Sequence, residues 1–472
     1  MSTVTGFPLV NAGMEIHRTA DGGYLLVGAH RQFEVEEFFL RFLELADGTR
    51  PSATIAETFT EELGPLFGPT FALKALNTAV EAGLCTIVDR PLPEGAGIGR
   101  LTGSRDGYHP MHATLEIIET CNFTCEHCYY SSSPLKKGRL DLQQATELMD
   151  LMAERGVRVI ELTGGECTIH PDFREILARA ADRFVLVAVI SNGYLLGTRP
   201  SLREHVASFD NVAVQISIDG LEKHHDTWRR HKGSFAAATT AARELALLGV
   251  PVRVASTITE NNLHEIKPLF ELVRSLGVAA AAFSPVAALG RGCNVSDPGM
   301  GSEDLVREIN EQLAAFAQDP LLTKSPPAPT LATKTPTLNC GAGSRSYAID
   351  YDGNVRACNF SRDSKKFGNL LNDSYDTVFN QEANFLFRNA PSPGGAECQG
   401  CDYYHYCRGC FVKAFMTSEE HYPACPWRKK WFPGMPLGLD PDRKPASRKL
   451  LPLMVEPAQP EFHHCGCGPS GN

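Results

Sequence analysis

The sequence predicts an α/β protein built on a parallel sheet, with a small module before it and a cysteine-rich segment after it. Three observations predict this. Six strand-like runs alternate with amphipathic stretches between residue 113 and about 318; a hairpin signal and three helix patterns precede them; cysteines crowd together after residue 339. Successive βα units give a parallel sheet with right-handed crossovers. A chain of 472 residues is too long for one ordinary core, so two to four domains are expected.

Taken in order, Met14–Thr19 and Tyr24–Gly28 read as short strands joined through Asp21-Gly22-Gly23, a hairpin signal. Helices follow at roughly 35–46, 54–63 and 70–82, then a strand at 84–88. Residues 1–95 form this module, and a Gly/Pro-rich linker closes at 110. The strands of the 111–318 domain are Ala113–Ile118, Val157–Thr163, Phe184–Ser191, Val212–Asp219, Val252–Ile258 and Val278–Val286. Its first helix starts near Asp141, places Leu142, Ala145, Leu148, Met149 and Met152 on one stripe, and stops at Gly156. Pro171 suits the first turn of the next helix. A Pro/Thr-rich linker (319–338), the cysteine-rich domain (339–435) and an irregular tail (436–472) complete the chain.

Composition excludes several functions. A net charge of −10 argues against non-specific nucleic-acid binding. The start of the chain lacks a signal-peptide pattern, and no run of 18 apolar residues suggests a membrane span. Fifteen cysteines without an export signal point to a reducing compartment, the cytoplasm.

The chemistry opens at Cys121, Cys125 and Cys128, in ETCNFTCEHCYY directly after the first strand of the 111–318 domain. Three thiolates on one loop can hold three irons of a 4Fe–4S cube, whereas protein-held cubes normally have four. The fourth iron is then open to a ligand. A structural zinc site is the alternative, but zinc loops usually carry C-x2-C pairs with a second pair elsewhere.

The C-x3-C-x2-C spacing resembles the radical S-adenosylmethionine (SAM) superfamily, whose partial (β/α)6 TIM-type barrel has the strand count found here. The resemblance implies a SAM-binding cluster on Cys121, Cys125 and Cys128, and chemistry at the C-terminal strand ends. It also implies SAM contacts at Gly164, Gly165 and Glu166, the family's GGE motif, and at Ser191, Asn192, Ser217, Asp219 and Arg229. There the glycines would let the cofactor approach the main chain, Glu166 would meet its ammonium group, and Arg229 its carboxylate. One electron into the sulfonium would release a 5′-deoxyadenosyl radical that takes hydrogen from substrate. Cys167 replaces the family's usual proline; it is either packing or a hydrogen-atom donor, and Cys293, after the sixth strand, is the other candidate donor.

Cys340, Cys358, Cys398, Cys401, Cys407, Cys410 and Cys425 resemble the SPASM extension of radical SAM enzymes, with two rather than three residues between Cys407 and Cys410. That implies an outer auxiliary cluster on Cys398, Cys401, Cys407 and Cys425, and an inner one on Cys340, Cys358 and Cys410. The inner set is one thiolate short. Cys293, Cys465 and Cys467 are available donors, an open iron or a single auxiliary cluster are the other outcomes, and a zinc ribbon is the alternative reading. The tail run His463–Cys467 could bind a soft metal or form a mobile flap.

The first 95 residues resemble a winged helix-turn-helix module, in detail the peptide-recognition domain related to the PqqD family, on LADGTRPSATIAETFTEELG. The three parts together resemble maturases of ribosomally made peptides (RiPPs). The partners implied are a precursor peptide with a leader, added as a strand to the module's sheet edge, and a flavodoxin- or ferredoxin-type electron donor. The expected reaction is a thioether or carbon–carbon cross-link; epimerisation, decarboxylation and sulfatase-maturase-like oxidation are alternatives. A non-catalytic iron–sulfur carrier or redox sensor is the rival of another class.

Overall fold

The computed structural model describes residues 6–11, 13–19, 22–27, 31–63, 69–93, 101–105, 109–287, 289–294, 302–322, 341–361, 366–380, 386–387, 389–401, 404–407, 410–411, 414–415 and 424–433. Cys340, Cys465, Cys467, His463 and nearly all of the Pro/Thr-rich segment lie outside them, as does the side chain of Cys293.

The N-terminal module contains strands β1 (Phe7–Val10), β2 (Met14–Thr19), β3 (Gly22–Val27) and β4 (Arg31–Glu36), helices α1 (Glu37–Leu45), α2 (Ser52–Leu63) and α3 (Pro69–Glu81), and strand β5 (Cys85–Val88). The hairpin forms, but Gly22 and Gly23 belong to β3, opposite Thr19 and Arg18, rather than to the turn. Gly23 is required by packing: a Cβ there would stand 2.3 Å from the His17 carbonyl oxygen. Residues Val35 and Glu36, expected to start a helix, end β4 instead. The strand at Cys85–Val88 pairs with β1 in a separate two-stranded sheet. The expected linker also contributes structure, because β6 (Leu101–Gly103) adds in parallel to β2, giving the order β4-β3-β2-β6. Leu25, Leu40, Phe42, Phe59 and Leu76 lie at the module's core.

Six parallel strands follow: β7 (His112–Ile118), β8 (Val159–Gly164), β9 (Leu186–Ser191), β10 (Val212–Ser217), β11 (Val252–Ile258) and β12 (Ala280–Pro285). Burial alternates strictly along β9, β10 and β11. The fully buried side chains, such as Val187, Val214 and Val254, join the main core with Leu148, Met152, Ile176 and Phe270 of the surrounding helices. Each such side chain contributes roughly 1.5–3 kcal/mol by leaving water. Helix α4 (Leu142–Glu154) starts on an Asp141–Gln144 capping box and buries Ala145, Leu148, Met149 and Met152; Leu142 stays exposed. Gly156 follows the end of α4 with φ +97°. Pro171 lies just before α5 (Phe173–Arg183) rather than in its first turn.

The sheet does not stop at β7. Strand β13 (Ser346–Ile349) pairs with it in parallel, and β14 (Asn354–Arg356) and β15 (Gly368–Asn369) complete a nine-stranded sheet. Thus the cysteine-rich segment is welded to the first barrel strand by main-chain hydrogen bonds. The N-terminal module docks at the opposite strand ends. There Glu15 pairs with Arg158, and the buried His17 ring contacts Thr102 Oγ1 (2.9 Å) and the His109 carbonyl (2.6 Å). No helix among the described residues is long and apolar enough to cross a membrane.

Candidate active site

The loops after β7, β8, β9 and β10 meet at the C-terminal ends of the strands. Cys121 and Cys125 are buried and Cys128 half-buried on the first loop. Main-chain bonds fix that loop: Cys121 N to Ser133 O (3.2 Å) and Glu126 N to Trp228 O (2.9 Å). Arg291, which follows β12, donates from Nε to Cys125 O (2.7 Å) and from Nη2 to Ser132 O (2.9 Å). Burial pushes the Cys125 thiol up to about 11, with Arg229 opposing, and pushes Cys121 higher, with Glu166 adding to it. Ligating a metal here therefore requires removing protons that the loop otherwise holds firmly.

The glycines of the second loop serve the first. A Cβ on Gly164 would lie 2.1 Å from Ile118 O, and one on Gly165 would lie 2.2 Å from Thr120 O. Gly165 N donates to Ile118 O (2.7 Å) and Glu166 N to Thr120 O (3.0 Å). These glycines are thus needed for the approach of the cysteine loop's own main chain, a nearer reason than approach of a cofactor. The Glu166 carboxylate is likewise engaged within the protein. Its Oε1 accepts from Thr168 N (3.2 Å), Thr168 Oγ1 (2.5 Å) and Ser191 Oγ (2.8 Å), and its Oε2 from Asn192 N (2.7 Å). Glu166 thereby ties the β8 loop to the β9 loop. Asn192 then reaches the cysteine loop, with Nδ2 donating to Asn122 Oδ1 (2.8 Å) and lying 3.9 Å from Cys121 Sγ.

Asp219 and Arg229 come together. Arg229 Nε and Nη2 each lie 2.8 Å from Asp219 Oδ2, and both residues are buried. His127, inside the cysteine loop, stands 3.2 Å from the same oxygen and stacks on Trp228 at 5.4 Å. Burial alone would raise the Asp219 pKa, but Arg229 and His127 outweigh it and hold the carboxyl well below the usual range. Ser217 ends β10 half-buried. Sequence reading missed His127, Trp228 and Arg291; only His127, lying between two of the cysteines, carried a local signal.

Cys167 has no exposed surface, belongs to the main core, and its Sγ donates to Ile190 O at 3.4 Å. Cys293 lies in the short helix Gly290–Asn294 beside the cysteine loop.

In the cysteine-rich segment, Cys358, Cys398, Cys407 and Cys410 are buried and Cys401 and Cys425 half-buried. Burial pushes the Cys398 thiol up to about 11, with Cys425 and Cys401 adding to it. Cys410 N donates to Cys407 O at 3.0 Å.

By donor chemistry, three thiols on one loop suit a cluster with an open iron, although among the described residues no three His, Cys, Asp or Glu side chains are gathered into a metal-holding group. A buried guanidinium–carboxylate pair adjoins that loop, and the buried His127 Nδ1 has no hydrogen-bond partner among the described residues. Fold and site together define an iron–sulfur enzyme of the partial-barrel class.

Comparison with known proteins agrees. Residues 115–273 match the radical SAM superfamily and residues 340–411 the iron–sulfur cluster-binding SPASM domain. The antilisterial bacteriocin subtilosin biosynthesis protein AlbA of Bacillus subtilis (strain 168) is 32% identical over 334 residues, spanning 70% of this chain and 73% of that protein. The mycofactocin maturase MftC of Mycobacterium ulcerans (strain Agy99) is 30% identical over 324 residues, 65% of this chain and 85% of that one. The fold of Streptococcus suis SuiB bound to precursor peptide SuiA superposes with a TM-score of 0.65 at 13% identity, over 87% of this chain and 97% of that one. The chain belongs to the radical SAM superfamily, among members with a SPASM domain. It is an enzyme, and its cofactors are 4Fe–4S clusters and SAM.

Proposed function

We propose that this enzyme matures a ribosomally made precursor peptide, installing a thioether or carbon–carbon cross-link. The observation that carries the reading is its likeness to AlbA and MftC, named for bacteriocin biosynthesis and for mycofactocin maturation, over 334 and 324 residues. Sheet order adds support. Strand β6 covers part of the β2 edge, whereas β4 lies at the end of its sheet with no strand beyond it among the described residues. A leader peptide would add there, to a module we read as PqqD-like.

When bound, the reduced cluster and SAM supply a radical that takes one hydrogen atom from the peptide. The chain's own residues position those groups. Cys121, Cys125 and Cys128 would hold the cluster, and His127, Asn192 and the Asp219–Arg229 pair would surround SAM beside Ser217 and the Gly164–Glu166 loop. Cys398, Cys401, Cys407 and Cys425 would hold the outer auxiliary cluster, with Cys340, Cys358 and Cys410 on the inner one. Clusters held there would supply an acceptor for the second electron that a cross-link must lose, which favours a cross-link over epimerisation. A flavodoxin- or ferredoxin-type protein would supply the electron.

The test uses the full chain, a candidate precursor and its leaderless form. The full precursor should bind at micromolar concentration and the leaderless peptide at least tenfold more weakly, and the product should be lighter by two hydrogens. An unchanged mass with deuterium gained from solvent would instead indicate epimerisation. Equal binding of both peptides would remove the leader-recognition role.

A further inference from the structure

Between the cluster loop and α4, residues 133–140 form a flap lying antiparallel on Ile117–Cys121. Leu140 N donates to Ile117 O (3.0 Å), Glu119 N to Gly138 O (2.7 Å) and Cys121 N to Ser133 O (3.2 Å). Thr120 Oγ1 also donates to Lys136 O (2.5 Å). The inner side of the flap is therefore bonded directly to the main chain of the first cluster cysteine.

The outer side is apolar at one residue and cationic around it. Leu135 is 86% exposed, the most exposed large hydrophobic residue among those described. Lys136, Lys137 and Arg139 beside it are exposed too. Acidic groups stand beside it as well: Glu119, buried and paired with Lys136 at 2.9 Å, and Asp352, which lies close to Asp350 and Glu119 and follows Tyr351, the ring that Gly138 approaches. A lone exposed leucine is ordinary. A leucine ringed by three cations, on a chain of net charge −10 and against the main chain of Cys121, is an arrangement that fits a partner.

We propose that this flap is where the electron enters: a docking surface for a small acidic redox protein carrying a flavin or an iron–sulfur centre. Lys136, Lys137 and Arg139 meet carboxylates on the partner, and Leu135 seats against the apolar rim of its redox centre. One electron leaves the reduced partner, which is oxidised by one, and reduces the cluster by one; no bond or proton changes hands. The inference rests on the reading of Cys121, Cys125 and Cys128 as cluster ligands.

The test is stopped-flow bleaching of the anaerobic holoenzyme by reduced flavodoxin, compared with dithionite. For the wild type, the flavodoxin rate should fall as salt rises. The triple variant K136E/K137E/R139E should lower it at least tenfold at low salt, and Lys137→Glu alone should lower it several-fold should the triple variant lose iron. Bleaching and 5′-deoxyadenosine formation with dithionite should be unchanged. Equal flavodoxin rates for variant and wild type would overturn the docking surface, as would a defect confined to the KM for peptide. A wild type that dithionite cannot reduce would instead overturn the cluster assignment itself.

Discussion

Glu116 of the first barrel strand and Arg356 of the cysteine-rich segment form a fully buried ion pair, and the Tyr130 hydroxyl donates to the same carboxylate. Tyr130 lies two residues after Cys128 and Arg356 two residues before Cys358, so one carboxylate joins the loops assigned to different clusters. Its neighbours set the cost of disturbing it. A buried pair broken on one side leaves an uncompensated charge, at about 3–5 kcal/mol. Glu116→Ala is therefore expected to destabilise the protein strongly, whereas the double variant E116L/R356M should recover much of that loss. Tyr130→Phe should cost about 1.5–3 kcal/mol, because the hydroxyl donates to a charged group. Anaerobic denaturant titration of the four proteins checks the order.

The interface between the N-terminal module and the barrel should weaken in mild acid. Burial pushes the pKa of His17 down from 6.5 to about 4, because a charged ring has no water there. In the unfolded chain His17 takes a proton as pH falls through about 6.5, while the folded ring refuses it until about 4. Its contribution is thus intact above pH 6.5 and is lost on going down to 4, by ~3 kcal/mol in all. Stability of wild type minus that of His17→Gln, measured between pH 7.5 and 5, should shrink as pH falls; a constant difference would contradict this.

Gly164→Ala and Gly165→Ala should each displace the cysteine loop, since the added carbon meets backbone oxygen at 2.1 or 2.2 Å. Both variants are expected to fold around their auxiliary clusters yet lose the SAM-cluster signal in the electron paramagnetic resonance (EPR) spectrum. Gly249→Ala, where a Cβ meets nothing within 4 Å although φ is +84°, serves as the strained but uncrowded control.

Glu166→Gln should uncouple the β8 and β9 loops without emptying the site. One carboxylate oxygen becomes an NH2, which faces either the Asn192 N–H or the Ser191 and Thr168 donors, costing about 1–3 kcal/mol. The expected outcome is a raised SAM dissociation constant, read from the SAM-induced EPR change, with iron content retained.

The six barrel strands were legible to within two residues because apolar, β-branched runs fully buried on one face leave a strong pattern. Strand β4 was hidden although RQFEVE alternates, since its last apolar residue, Val35, also fits the start of α1. Strand β6 has only three residues in a Gly/Pro-rich stretch and exists through pairing with β2, far away in sequence. The site divides in the same way. The cysteine spacing and the Gly164–Glu166 motif are local and could be read. Arg291 on Cys125, and Arg356 on Glu116 across 240 residues, are contacts that only the folded chain creates.

The central claim is a cluster held by Cys121, Cys125 and Cys128 alone, with one iron left for SAM. EPR of the reduced, anaerobic protein with and without SAM tests it most directly, beside the variant C121A/C125A/C128A. We expect SAM to alter one signal, 5′-deoxyadenosine to form, and the variant to lose that signal and product while keeping the auxiliary signals. A wild-type spectrum indifferent to SAM, or a variant that still cleaves it, would contradict the claim.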